Sequence, residues 1–216
     1  MNDVAGIRFE LPGRWGRINL ASSASIQRSI RRLLDEVTHR RDDLAVPRAE
    51  LRQRFQKAAE IARDGGATDF YVALHIVPQV PLPAWIAVFT PTIDEDEFRR
   101  LGLGEIVDFL DRGMSDWGDD GAAVRSATTG SAGEIHAVRH SWRRTHDVVE
   151  GEVERSFDFV EADYWLAARD PNRVALLTCS TALAEYEEEM LALFDAIIST
   201  IRWPSRASED GRAVTA

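Results

Sequence analysis

The sequence predicts an α+β fold, an antiparallel-rich sheet of about six to eight strands with helices on both faces. Three observations carry this expectation. The closing stretch, 164–203, reads as strand, turn, apolar strand and amphipathic helix. Upstream, apolar residues alternate with polar ones at 7–11, 70–77 and 134–144, the period of half-buried strands. Between the first two of these runs lies 25–64, whose apolar residues recur at spacings of three and four, the period of a helix. One domain is expected over 1–204, with 25–64 a helical hairpin inserted into it and 205–216 a disordered polar tail.

In chain order, Ile7, Phe9 and Leu11 alternate with Arg8 and Glu10 until Pro12-Gly13 ends the strand. Trp15, Ile18 and Leu20 continue as a second short strand, which predicts a hairpin with the first. Ser22 to Ser25 open a helix with the stripe Ile26, Ile30, Leu33, Leu34 and Val37. Arg41-Asp42-Asp43 breaks the pattern. Pro47, in a first turn, starts a second helix with Leu51, Phe55, Ala58, Ala59 and Ala62 inward, closed by Gly65-Gly66. Phe70, Val72, Leu74 and Ile76 mark a strand; Pro78, Pro81 and Pro83 make a stiff connection to the next one at 85–92. Asp94 is placed as the cap of a helix whose first turn is acidic and whose inner face includes Phe98, Leu101, Ile106 and Phe109.

Residues 113–133, rich in Gly, Ser, Asp and Ala, read as the most loop-like internal region, with a short strand near Val124. His136, Val138, His140 and Trp142 then share one face of a strand, and Glu150-Gly151-Glu152 suggests a turn. Phe157 and Phe159 have one phase and Tyr164 and Leu166 the other, which predicts a bulge or break near Glu161. A turn at Asp170-Pro171-Asn172 precedes the apolar strand 174–179. Thr181 is placed as the N-cap of the final helix, and the early glutamates Glu185, Glu187, Glu188 and Glu189 suit the positive end of its dipole. Its buried stripe is Leu183, Tyr186, Met190, Leu193, Phe194, Ile197, Ile198 and Ile201; Pro204 disfavours helical geometry at Trp203 and ends it.

The net charge of −10 disfavours nucleic acid and acidic membrane surfaces as partners, because phosphate contacts need clustered cations. That charge is unevenly spread. Residues 25–63 hold ten Lys/Arg against six Asp/Glu, so the remainder carries a net −14. The plain reading is a solvated basic face beside an acidic body; the sharper one is a docking surface for an acidic partner. The first twenty residues include Arg8, Glu10, Arg14 and Arg17 and no apolar core of a secretory signal, and no apolar run approaches a membrane span. Cys179, the single cysteine, reads as a buried inert thiol and permits no disulfide within one chain, which agrees with a reducing cytoplasm.

No catalytic signature emerges. His136 and His140 are four apart, but on a strand that is about 13 Å, too far to share one zinc. Asp111, Asp116, Asp119 and Asp120 lie among glycines, yet the twelfth residue counted from Asp111 or Asp116 is Ala122 or Ala127, where a calcium loop needs glutamate. Gly65-Gly66 and Gly102-Leu103-Gly104 match neither a dinucleotide fingerprint nor a phosphate-binding loop, and Gly-x-Ser-x-Gly is absent. Glu161 and Asp163 are placed on one strand face, a spacing that acidic composition makes common. No catalytic residue, metal or cofactor is expected. Among six tryptophans, Trp117 in the Gly/Asp-rich region is the one expected to be exposed.

Phe9-x-Leu11-Pro12-x-x-Trp15, the Pro81-Leu82-Pro83 lead-in to a strand, and the ending Phe194-Asp195-x-Ile197-x-Ser199-Thr200-x-x-Trp203 together resemble an uncharacterised family of cytoplasmic proteins from high-GC Gram-positive bacteria. More distantly, the order of elements resembles the PsbP-like fold, shared by an extrinsic photosystem subunit, a Ran-binding regulator and some secretion-effector adaptors. The first resemblance covers most of the chain; the second covers mainly the strands and final helix, and the basic hairpin departs from it. What the resemblance implies is an α/β/α sandwich that binds proteins and has no catalytic residues to carry over.

The function expected is therefore a non-catalytic protein-binding module, an adaptor, chaperone or regulator, whose partner is a protein of unknown identity, acidic if the basic hairpin is what docks it; a homodimer is compatible with the composition. Candidate contact residues are Arg31, Arg32 and Arg52 on the hairpin, Trp117, and His136, His140 and Trp142 on their strand face. The alternatives are a small-molecule-binding protein or enzyme with a pocket between sheet and helices, and a purely structural subunit.

Overall fold

The computed structural model describes residues 2–4, 7–38, 45–75, 82–92, 105, 109, 122–130, 133–150, 153–168 and 173–203. In chain order these form β1 (Asn2–Val4), β2 (Ile7–Phe9), β3 (Arg14–Ile18), α1 (Ser23–Thr38), α2 (Ala45–Asp64), β4 (Asp69–His75), β5 (Ala84–Phe89), β6 (Ala122–Gly130), β7 (Gly133–Glu150), β8 (Val153–Ala168), β9 (Arg173–Thr181), a 3-10 turn at Ala184–Tyr186 and α3 (Glu187–Ser199). The protein is α+β, with antiparallel strand pairs and three helices among the described residues. Expectations placed on Arg41-Asp42-Asp43, Ile76, Pro78, Pro81, Trp117 and the tail 205–216 fall outside the described residues. Of the helix expected after Asp94, Glu105 and Phe109 are described; both are helical, and Phe109, expected inside, is 65% exposed. The chain divides into two compact units, Pro12–Phe89 and the pair of segments Met1–Leu11 and Thr90–Ala216.

In the unit Pro12–Phe89, β3, β4 and β5 pair antiparallel, with Ile18 opposite Phe70 and Phe70 opposite Ala87. These residues share a core with Val72 and with Ile26, Ile30, Leu33, Leu34, Ala59 and Ala62 of the two helices. Of the stripes read from sequence, Ile26, Ile30, Leu33, Leu34, Ala59 and Ala62 are buried, and Phe55 and Ala58 pack against them partly buried. Ser22 caps α1: its Oγ accepts the Ser25 N–H at 3.1 Å. The end of α2 closes as glycine permits. Gly66 has φ +85°, while the Gly65 and Ala67 N–H groups donate to the carbonyls of Ile61 and Ala62, both at 2.9 Å. Gly16 is required by close approach, because a Cβ there would overlap both methyls of the buried Leu33. On the opposite sheet face Arg17 pairs with Asp69, whose carboxyl is raised by burial against the opposing pull of that guanidinium.

The hairpin expected between the first two strands is corrected. The partner of β2 is β1, and that of β3 is β4. Between them Gly13, at φ +74°, redirects the chain after Pro12. In the other unit β2 is also tied to the C-terminal segment: the Arg8 N–H donates to the Arg202 carbonyl at 2.8 Å, and the Arg202 N–H to the Arg8 carbonyl at 2.7 Å.

That unit holds a four-stranded antiparallel sheet in the order β6–β7–β8–β9. The expected loop at 113–133 is corrected over its second half. Nine residues, Ala122–Gly130, form β6, because pairing along β7 supplies a ladder that their own weak strand propensity does not predict. The bulge expected near Glu161 is absent; β7 and β8 pair without interruption from Ile135↔Ala168 to Glu150↔Val153. The change of phase in the sequence arises because both faces of β8 are lined by large side chains. Val160, Ala162, Tyr164 and Leu166 are buried on one face, with Phe159 and Trp165 half-buried on the other.

The side chains of α3 meet the first of those faces. Its Asp195 accepts the Tyr164 hydroxyl at 2.8 Å and pairs with Arg139 of β7 at 2.5 Å, and its Glu187 pairs with Arg143 at 2.5 Å. Met190, Phe194, Ile197 and Ile198 are buried, and Ile201 and Trp203 beyond the helix end are buried too. Two details differ from expectation. Thr181 caps no helix; its Oγ1 accepts the Leu183 N–H at 3.2 Å as β9 turns, and α3 begins six residues later with Glu187, Glu188 and Glu189 but no side-chain cap. Tyr186, expected in the stripe, is 53% exposed, because the 3-10 turn rotates it away from the phase of α3.

Candidate functional site

The first candidate is the outer side of α1. Ser25, Arg28, Ser29 and Arg32 follow one another at the three- and four-residue spacing that stacks side chains along one helix side. With Asn19, just ahead of the helix, they line an open depression of about 300 Å³. Arg28, Arg32 and Asn19 are exposed, Ser25 is half-buried and Ser29 is 8% exposed. Arg28 Nη2 donates to Ser25 Oγ at 2.9 Å, and the Asn19 N–H donates to Ser29 Oγ at 3.2 Å. Of the two acids one turn beyond Arg32, Asp35 is half-buried with an interaction of its own and Glu36 is paired with Arg14. Arg31 lies exposed on the same helix and Arg52 exposed on α2. Among the described residues none of Arg28, Arg31, Arg32 and Arg52 is paired with a carboxylate, whereas Arg14, Arg17 and Arg63 each are. Such a surface can hold anions through charge-assisted, forked hydrogen bonds.

The second candidate is the face of β7–β8–β9 turned away from α3. Register sets His140 opposite Asp163 and Asp163 opposite Thr178; beside that row Trp142 lies opposite Glu161 and Glu161 opposite Ser180. Trp142 Nε1 donates to Glu161 Oε2 at 3.0 Å, and Arg144 Nε lies 3.6 Å from the same oxygen. The rings of His140 and Trp142 are 6.1 Å apart and tilted. Asp163 is only partly covered as a residue, yet its Oδ1 is sealed from solvent and has no hydrogen-bond partner; Ser180 Oγ is in the same condition. Burial pushes the Asp163 carboxyl up to about 6; Glu161 adds to the rise, while the Thr178 hydrogen bond and the charges of His140 and Arg144 oppose it. A carboxyl so placed can hold or release a proton near neutrality. Ser180 and His140, however, stand on β9 and β7 with β8 between them, roughly 10 Å apart by strand spacing, so they form no nucleophile–base pair. On the α3 face Cys179 is buried and its thiol is pushed well up by burial and by Asp163 and Asp195, which makes it inert.

The structure therefore separates the residues singled out from sequence. Arg31, Arg32 and Arg52 are exposed in one unit. His136, His140 and Trp142 share a face in the other, where His140 is buried and the remaining two are half-buried. Trp117 lies outside the described residues. Sequence reasoning missed Asn19, Ser25, Arg28 and Ser29, although the Ser25-x-x-Arg28-Ser29-x-x-Arg32 spacing was there to be read. It placed Asp163 beside Glu161 but could not foresee His140 and Thr178 as its cross-strand neighbours. Among the described residues no three His, Cys, Asp or Glu side chains converge as a metal-binding set, and no helix is long and apolar enough to cross a membrane.

Fold and site together define an α+β protein with exposed arginines on one helix that have no carboxylate partner among the described residues. No protein-family model matches the chain, and no curated protein matches it in sequence.

Proposed function

We propose that the protein is a non-catalytic binding module, an adaptor, chaperone or regulator of the bacterial cytoplasm, that docks an acidic protein partner on the arginine surface of α1, with Arg52 of α2 contributing. One observation carries this reading: in a chain of net charge −10, four exposed arginines have no carboxylate partner among the described residues. Internal acids are plentiful, so guanidiniums left open to solvent are available to steer and register an incoming acidic surface. The finer assignment of the fold belongs to the same reading. An α/β/α sandwich of the PsbP-like kind, with α1 and α2 as its inserted helical hairpin, is supported by the antiparallel strands and by the way α3 lies against them.

The test is to co-purify the partner from the native host, identify it by mass spectrometry, and compare wild type with the combined Arg31→Glu, Arg32→Glu and Arg52→Glu variant. Capture is lost while the melting temperature stays within about 2 °C, since surface substitutions of this kind usually change stability little. Undiminished capture by the variant contradicts the reading.

A second reading, a small-molecule-binding protein or enzyme, is favoured by Asp163, whose buried Oδ1 lacks a partner. Native mass spectrometry checks it: a bound small molecule that Asp163→Asn releases supports this reading, and a purified protein of bare chain mass counts against it.

A further inference from the structure

We infer that the depression lined by Asn19, Ser25, Arg28, Ser29 and Arg32 is the seat of one phosphomonoester dianion, carried on a serine or threonine of the docked partner. This rests on the docking reading and specifies what the arginine surface recognises. The argument begins with charge. The depression offers two guanidiniums; of the acids one turn beyond Arg32, Glu36 is neutralised by Arg14, and Asp35 is half-buried with an interaction of its own and does not line the depression. A carboxylate brings one negative charge and leaves one cation uncompensated. A phosphomonoester brings nearly two, with three acceptor oxygens.

The second step is hydrogen-bond geometry. A guanidinium has five N–H donors in a planar fork, and Arg28 spends one of them on Ser25 Oγ. That contact holds the guanidinium beside Ser25, at the edge of the depression, and leaves its other donors for a ligand. Ser29, buried and held by the Asn19 N–H, accepts through its oxygen and keeps its own hydrogen without an acceptor among the described residues. Two forks and one buried hydroxyl donor match three terminal oxygens better than two. The third step is selection against polyanions. The chain carries a net charge of −10, which repels an extended polyanion such as a nucleic acid or an anionic bilayer more strongly than a single dianion on a peptide.

The experiment titrates the intact protein by amide chemical-shift perturbation at fixed ionic strength. Three probes are used: inorganic phosphate, N-acetyl-O-phosphoserine amide and N-acetylglutamate amide. The phosphoserine amide is expected to shift the amides of Ser25 to Arg32 and to bind about tenfold tighter than the glutamate derivative. Arg28→Gln and Arg32→Gln each weaken it by a similar factor, while Arg17→Gln, on the sheet face opposite α1, leaves it unchanged. Equal or tighter binding of the glutamate derivative overturns the inference in favour of a carboxylate seat. Binding of inorganic phosphate without the phosphoserine amide overturns it in favour of a free-anion site, and binding unaltered by both depression variants overturns it outright. The docking reading fails separately: Arg31→Glu with Arg52→Glu, neither lining the depression, tests partner capture alone.

Discussion

Replacing Asp163 by asparagine removes a charge that the fold holds at a cost, and the size of that cost follows from the carboxyl's surroundings. Its pKa is raised from 3.8 to about 6, chiefly by burial. Below about pH 4 the group is protonated in both folded and unfolded chains and exacts nothing. Between about pH 4 and 6 the unfolded chain ionises while the fold retains the proton, so stability from this group falls as pH rises. Above about pH 6 the penalty is complete, and two pK units correspond to about 3 kcal/mol. Asparagine keeps the shape and still accepts from Thr178 but cannot ionise. Any fixed cost of burying its amide cancels when the variant is compared with wild type at two pH values. The assay is paired urea melts followed by tryptophan fluorescence at about pH 4 and pH 8, where Asp163→Asn gains on wild type by about 2 kcal/mol between the two. A gain below about 0.5 kcal/mol, near the extrapolation error of such melts, refutes the buried, ionising carboxyl.

Other perturbations test the packing. Phe194→Ala, at a fully buried site of α3, loses about 3–5 kcal/mol in a denaturant melt. Gly16→Ala drives a methyl into Leu33 and costs about 1–3 kcal/mol; Leu33→Val in the same chain recovers part of it, whereas an unchanged midpoint for Gly16→Ala shows that the approach is loose. Cys179 stays unreactive toward a thiol reagent in the native protein and reacts at once in denaturant, because its thiol is buried and its pKa pushed up.

How much of this was legible in the sequence depends on the range of the contacts involved. The stripe Ile26, Ile30, Leu33 and Leu34 announced α1, and the phase of His136, Val138, His140 and Trp142 announced their common face on β7, because helical and strand periods are local. Of β6 only a short strand near Val124 was legible: Ala122, Ala123, Ser126 and Ala127 have little intrinsic reason to be extended until β7 pairs with them. Thr181 looked like a helix cap because capping residues also serve turns, and only the placement of Leu183 decides which. The hairpin failed because a Pro-Gly pair says that the chain turns, not which strand it pairs with next. For the site, exposed arginines could be nominated by composition, but that none of them meets a carboxylate among the described residues follows only from the three-dimensional arrangement. The row His140, Asp163 and Thr178 is joined by strand register alone, which no single segment encodes.

The most direct test of the docking claim is the affinity for the co-purified partner measured against ionic strength, for wild type and for the variant with Arg31, Arg32 and Arg52 all changed to glutamate. The account predicts that wild-type binding weakens steeply as salt rises from about 50 to 300 mM, since the exposed charges are screened over about 10 Å, and that the variant binds weakly with a flat salt response. Wild-type and variant affinities that coincide at every salt concentration contradict it.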